Sequence, residues 1–358
     1  MLILYGTYSL SYWRRVSSIG GIGATGGLWP LGPADSKPLA LPRRRAPIST
    51  GAPTSEELGT LEHYGLDAGS DRVDLLVGSQ EDRRLLRGVR CLSCSAPLPA
   101  RSIHPVLVHG KRLKDVYACS PELTIMQLAS PSHSLSLVEL MRLVMELCGL
   151  YRMVGGNARY KCQPLMSTGS LKAYACRARG VFGRGRTLQV AGLAMDNSGS
   201  PAETDLAIAL SLPWRYGGSS LGKPRLNKVV ELNELAASIL GRDTITPDML
   251  FDGPAAPAIA YPVEYESARL HSEAEQSAYD MRRRNAYAAM GAGCTLIHRG
   301  QIHDHRGFDA IAETIRRNIG RRSSAIPADY AQRHTQLLDE ALASWLSGAG
   351  DGPEGLRW

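Results

Sequence analysis

The sequence predicts an α/β protein in two parts: an α+β N-terminal part and a C-terminal domain with a small mixed sheet flanked by helices. Three observations carry that expectation. The chain has 358 residues, 44% of them hydrophobic, enough apolar surface for more than one core. Short β-branched runs alternate with capped, amphipathic helical segments, the pattern of helices laid against a sheet. A stretch rich in Gly, Pro, Ser and Arg, residues 17–55, then interrupts the order near the start. The chain accordingly divides into an N-terminal helix (1–16), a loop or linker (17–55), an α+β domain (56–190), the C-terminal domain (191–322), and a final helix and tail (323–358).

In chain order, Ser9 to Arg15 forms a short helix, and the linker after it holds Arg43, Arg44 and Arg45, a solvated basic turn or a phosphate contact. Val73–Val77, Val106–His109 and Val116–Cys119 read as strands. SPELTIMQLAS starts a helix, with Ser120 as N-cap and Pro121 in the first turn. SLVELMRLVMELCG follows, with Ser136 and Glu139 as a capping box and Gly149 as its stop. Leu137, Leu140, Met141, Val144 and Leu147 share one face of that helix. Residues 152–186 carry no dominant period. Further on, Ser200 and Pro201 open a helix, and LNKVVEL reads as a strand. TPDMLF (246–251) and IAYPVEYE (259–266) are strands joined by an Asp-Gly-Pro turn, with Pro262 moving the start of the second to Val263. A helix capped by Ser272 and Glu275 and stopped by Gly291, the strand CTLIHR, and the helices GFDAIAETIRRNIG and 327–346 complete the order.

Composition excludes a disordered, collagen-like or disulfide-scaffold protein. The 41 Lys and Arg exceed 34 Asp and Glu for a net charge of +7, and only seven of the basic residues are Lys. Arg presents a planar fork to phosphate, so this surplus is compatible with nucleic acid. The longest uncharged run, Val16 to Ala34, is cut by glycines and Pro30, so no membrane partner is expected. Seven Cys, an odd number, point to reduced thiols and a cytoplasmic protein. Cys91 and Cys94 form a C-x-x-C without a second pair, so buried thiols are expected rather than structural zinc.

Four acids and one His stand out: Glu203, Asp248, Glu264, Glu266 and His271. Glu264 and Glu266 are two apart on a strand and point to one face, and a hairpin brings Asp248 beside them. Clustered carboxylates repel unless a cation or a proton resolves the conflict. Hard oxygen donors suit Mg²⁺, which bridges to phosphates and activates water. Structural alternatives stand beside each role. Glu203 has capping-box spacing from Ser200, and Asp248 follows a Pro as turn residues do. Glu264 and Glu266 would suit the solvent face of an edge strand, and His271 a loop. Asp280 and Arg283 are spaced as a surface ion pair.

TPDMLF, then PVEYES, then Leu270-His271, then D-x-x-R-R-N-A-Y-A-A-M-G resembles the PD-(D/E)XK nuclease superfamily over about residues 200–321, in its very-short-patch-repair endonuclease-like branch. The resemblance implies a restriction-endonuclease-like domain hydrolysing DNA phosphodiesters with Mg²⁺ or Mn²⁺. Asp248 and Glu264 would bind the metal, and His271 would orient or activate the water. Asp280 and Arg283 would be the family's helix pair, and Glu203 its first-helix Glu. Glu266 stands where the superfamily usually has Lys, and this branch often has an acid. VYACSPELTIMQLAS is similar to abortive-infection antitoxin-like proteins. That similarity implies an alternative: a non-catalytic, DNA-binding regulatory protein with a degenerate nuclease fold. The partners implied are DNA and a cognate toxin or methyltransferase.

Overall fold

A computed structural model describes residues 2–17, 29–30, 55–63, 66, 73–78, 80, 83, 88–108, 111–255, 260–266, 273–298, 302, 304–322 and 326–342. It is of mixed α/β class. Its contacts divide the chain into two compact units, Met1–Gly155 with Arg159–Ala194, and Gly156–Ala158 with Met195–Trp358. Among the described residues no helix is long and apolar enough to cross a membrane. Most of the linker, with Arg43, Arg44 and Arg45, lies outside the described residues, as do His109, His271 and Ser272.

The first unit runs β1 (Leu2–Leu4), α1 (Thr7–Arg15), β2 (Val16–Ser17), β3 (Trp29–Pro30), α2 (Ser55–His63), β4 (Val73–Val77), β5 (Val89–Ser93), β6 (Ile103–Val108) and β7 (Lys111–Cys119). It continues with α3 (Pro121–Leu128), α4 (Leu137–Leu147), β8 (Tyr151–Val154), β9 (Asn157–Tyr160), α5 (Thr168–Arg177) and α6 (Arg184–Leu193). Five strands form one sheet in the order β5-β4-β1-β7-β6. The expectation of a separate N-terminal helix is corrected here. Leu2–Leu4 is the central strand, parallel to β7 and antiparallel to β4. Three apolar residues are too few to show a period, and both partners lie far along the chain.

Helix starts follow their caps. Ser120 Oγ accepts from the Leu123 amide, and Ser136 and Glu139 form both halves of a capping box. The expected Gly149 stop is corrected: Cys148 caps α4 in right-handed conformation. The carbonyl end is covered instead by the fully buried Arg152, whose Nη1 donates to the carbonyls of Glu146 and Gly149. A buried guanidinium thus satisfies carbonyls that a left-handed glycine would otherwise cap. Leu137, expected on the buried face, is half-buried, while Leu140, Met141, Val144 and Leu147 are in the core. The stretch without a period resolves into the β8–β9 hairpin, turning on left-handed Gly155 and Gly156, and the helices α5 and α6.

The second unit contains α7 (Pro201–Ser211), β10 (Arg225–Leu226), β11 (Val230–Glu231), α8 (Glu234–Leu240), β12 (Thr244–Ile245), β13 (Met249–Phe251), β14 (Tyr261–Glu266), α9 (Glu273–Ala289), β15 (Thr295–His298), α10 (His305–Asn318) and α11 (Tyr330–Ala341). A four-stranded mixed sheet has the order β10-β13-β14-β15, with only β14 and β15 parallel. LNKVVEL is not one strand: the chain turns at left-handed Asn227, so β10 and β11 belong to different sheets. TPDMLF likewise narrows to Met249–Phe251. Pro262 lies inside β14 opposite Leu250, a correction to the expected start at Val263. Pairing with β15 begins only at Val263, so at Pro262 the strand has one neighbour and the missing N–H is tolerated.

The helix expected as a separate tail is part of this unit. α11 packs on α7 and on the turn Trp214–Tyr216. Gly217 ends that turn at φ 85°, and a Cβ there would lie 2.3 Å from the Arg333 carbonyl oxygen. His334 completes the joint. Its Nδ1 faces the Gly217 carbonyl at 2.6 Å and its Nε2 faces Asp309 Oδ1 at 2.8 Å. The Tyr330 hydroxyl also lies 3.0 Å from Nδ1, and the imidazolium can donate to both acceptors, Gly217 and Asp309. Burial alone would lower the His334 pKa, but the bonds to Asp309 and Gly217 raise it above the ordinary value. A raised folded-state pKa gives stability that is full below about pH 6.5 and lost as pH rises through the folded value. Thermal melts across pH 5.5 to 9 are expected to show that loss. His334→Ala should cost about 1–3 kcal/mol at pH 6 by leaving the Gly217 carbonyl unpaired, and less at pH 9.

Candidate functional site

The site grows from the antiparallel register of β13 and β14, which sets Met249 opposite Val263 and so puts Asp248 level with Glu264. The Asp248 amide donates to Glu264 Oε2 at 3.4 Å, and the Tyr265 amide donates to Asp248 Oδ2 at 2.6 Å. Glu264 is buried, at 6% exposure, which sets aside the solvent-face alternative. Its other oxygen, Oε1, accepts from Arg283 Nη2 and from the Tyr287 hydroxyl. Arg283 and Tyr287 are four apart on α9, so one helix face supplies both donors. Arg283 also donates to the Thr246 carbonyl at 3.1 Å, joining α9 to the entry of β13.

Glu203 arrives from α7. Ser200 Oγ accepts from its amide at 3.1 Å, which is half of the expected capping box. The second half is absent: the Glu203 carboxylate accepts from the Gly199 amide at 2.9 Å and from Asn227 Nδ2 at 2.8 Å. Gly199 matters for this approach, since a Cβ there would lie 3.0 Å from both carboxylate oxygens. Burial raises the Glu203 pKa. Asp248 is raised well above the ordinary carboxylate range, by burial first and then by the charges of Glu203 and Glu264. Asp248 therefore sits in the field of both Glu203 and Glu264.

Glu266 follows Glu264 on β14. It lines the same cavity, but its partner is Asp280: burial and the Asp280 carboxyl raise its pKa, while His298 and Arg284 act the other way. Arg283 pairs with Glu264, and Asp280 acts on Glu266 in the same cavity. His271 lies outside the described residues. His298 is opposite Glu266 across β14 and β15, in a strand whose His the sequence reading did not single out. Tyr287 was missed as well. Its only signal was the i, i+4 spacing from Arg283.

The cavity of about 150 Å³ is lined by Asp248, Glu264, Glu266, Asp280, Arg283 and Arg284, with Cys294 at its side. Burial, reinforced by Glu264, pushes the Cys294 thiol up to about 12, which keeps it protonated and unreactive. Cys91 and Cys94, in the first unit, are half-buried thiols. Among the described residues no group of three or more His, Cys, Asp or Glu is arranged to hold one metal ion. Asp248 and Glu264 together still fit the minimum that Mg²⁺ takes, two carboxylates with waters and phosphate oxygens filling the rest. The charge balance points the same way, since Arg283 is the cation paired with Glu264 while Glu203 and Asp248 add two further acids.

Family models, curated proteins and solved structures were all compared with this chain, and none matches.

The raised Asp248 pKa has a sign that can be measured. The folded state holds this proton more tightly than the unfolded chain, so stability falls as pH rises from about 3.9 through the folded value. Asp248→Asn keeps an oxygen for the Tyr265 amide and removes the repulsion. Without divalent ions, the variant should match the wild type near pH 4 and exceed it by about 1 kcal/mol at pH 8, read from denaturant unfolding.

Proposed function

We propose that the second unit is a PD-(D/E)XK-type nuclease domain of the very-short-patch-repair-like kind, hydrolysing DNA phosphodiester bonds with Mg²⁺ or Mn²⁺. The observation that carries this reading is the Asp248–Glu264 pair, set level across β13 and β14 beside Glu203 and opening into a cavity edged by Arg283 and Arg284. Asp248 and Glu264 would hold the ion. Once bound, the ion supplies Lewis-acid polarisation of the phosphoryl oxygen and a water of lowered pKa.

The chain's own residues do the rest. Arg283 and Tyr287 hold Glu264 by one oxygen and leave Oε2 turned toward Asp248. The Tyr265 amide fixes Asp248 in the same way. Glu203 adds negative charge beside Asp248, which raises the Asp248 pKa and would equally draw a cation. Arg284 offers a guanidinium to a backbone phosphate at the cavity edge. Burial and the Asp280 carboxyl raise the Glu266 pKa, at the position where the superfamily has Lys.

One observation favours a second reading, the non-catalytic DNA-binding regulator acting with a cognate toxin or methyltransferase. Arg283 already neutralises Glu264 from within the chain, and no Lys stands at position 266.

A cleavage assay separates the two. Wild-type protein with Mg²⁺ or Mn²⁺ should cut DNA and lose all cleavage in a chelator. Asp248→Asn, though more stable at pH 8, should lose at least about a hundredfold in rate, the signature of a residue kept for chemistry at the expense of stability. Glu264→Gln should do the same while DNA affinity stays within about twofold. DNA binding without cleavage under any divalent ion would move the assignment to the regulatory reading.

A further inference from the structure

The α5–α6 pair of the first unit carries chemistry that the proposed function does not use. From Thr168 to Leu193 the sequence holds Lys172, Arg177, Arg179, Arg184 and Arg186 and not one Asp or Glu. Lys172, Arg177 and Arg179 are exposed. In the connection between the two helices Phe182 stands 79% exposed.

An exposed apolar residue is ordinary by itself. This one is held in place. Val181 before it is buried, and Gly180 and Gly183 on either side are left-handed, at φ 79° and 83°. A Cβ on Gly183 would lie 2.0 Å from the Met126 carbonyl oxygen, so the turn is seated directly on α3. Behind it Tyr174 is buried, its hydroxyl 2.7 Å from Ser102 Oγ. Arg184 is tied back by Nε to the Ala175 carbonyl at 2.9 Å. The carboxylate bonded to this segment is Glu122, which accepts from Ser170 at 3.0 Å, near the start of α5 and away from the connection. The result is an exposed aromatic ring carried on a seated turn among cationic residues.

We infer that this connection binds a nucleic-acid strand with accessible base faces, Phe182 stacking on a base while Arg177 and Arg179 contact backbone phosphates. Base–aromatic stacking beside a basic track is how unpaired strands are held without sequence readout. Three features favour this partner over an anionic bilayer. The connection offers one apolar side chain, too small an anchor for a membrane interface. Its charges are mostly Arg, whose fork matches phosphodiester oxygens. The ring is presented on a rigid turn rather than on an amphipathic helix. The inference rests on the first unit alone and not on the nuclease reading.

The test uses the full chain in EDTA, so that binding is read without cleavage, and a fluorescent single-stranded DNA 20-mer followed by anisotropy at several salt concentrations. Phe182→Ala should weaken single-strand binding about tenfold with an unchanged salt slope, and weaken binding of a blunt duplex by no more than about twofold. Arg177→Gln with Arg179→Gln should reduce the salt slope by about 1.4, two phosphate contacts at roughly 0.7 each. Circular dichroism should report unchanged folding, since all three side chains are exposed. Single-strand affinity equal to wild type in both variants, or no binding by the wild type, would overturn the inference. So would flotation on phosphatidylserine-containing vesicles that is lost in Phe182→Ala while DNA binding is retained.

Discussion

A charge inside the second unit has to be neutralised, and Glu264 is that charge. A buried carboxylate without partners costs several kcal/mol, so the segments around it must converge on its two oxygens. α9 brings Arg283 and Tyr287 to one of them, and the start of β13 brings the Asp248 amide to the other. This convergence locks the register of β13 on β14 and the rotation of α9 against the sheet. It also leaves Asp248 and Glu203, each held by hydrogen bonds of its own, beside further negative charge. Structural necessity accounts for the Glu264–Arg283 ion pair. It does not account for two further acids beside it, half-buried Asp248 and buried Glu203.

The first unit solves the same problem with paired guanidiniums. Glu146, buried in α4, accepts from Arg14 at 2.9 and 2.7 Å and from the Met153 amide at 2.9 Å. Asp74, buried in β4, accepts from Arg90 Nε at 2.8 Å. Each acid here has its own guanidinium. The contrast between the units is instructive: paired charges in the first hold strands and helices in place, whereas the second keeps carboxylates in excess of the cations facing them. Burial without full pairing is a common mark of a functional site. Exposed Arg177, Arg179 and Phe182 in the first unit are the complementary case, positive and aromatic groups left facing outward.

Part of this was legible in the sequence because it is local. Ser120, Ser136 and Ser200 cap the helices they head, with Pro121 and Pro201 in the first turns, and Val73–Val77 is a strand from end to end. Caps and short β-branched runs are decided within a few residues, so a linear reading recovers them. The acids Glu203, Asp248 and Glu264 were recognisable too, since they stand next to such elements.

What lay beyond the sequence is non-local. Leu2–Leu4 becomes the central strand only because β4 and β7, distant along the chain, close on it from both sides. Asn227 separates two sheets that a single apolar run suggested were one strand. Helical spacing put Arg283 within reach of Asp280, and the sheet under α9 gave it Glu264 as an ion-pair partner. The sequence by itself determined which residues could be helix starts, strands and site acids. Only the tertiary structure decided which of those acids share a cavity and which cation neutralises which, because desolvation and Coulomb energy depend on distances that chain spacing does not set.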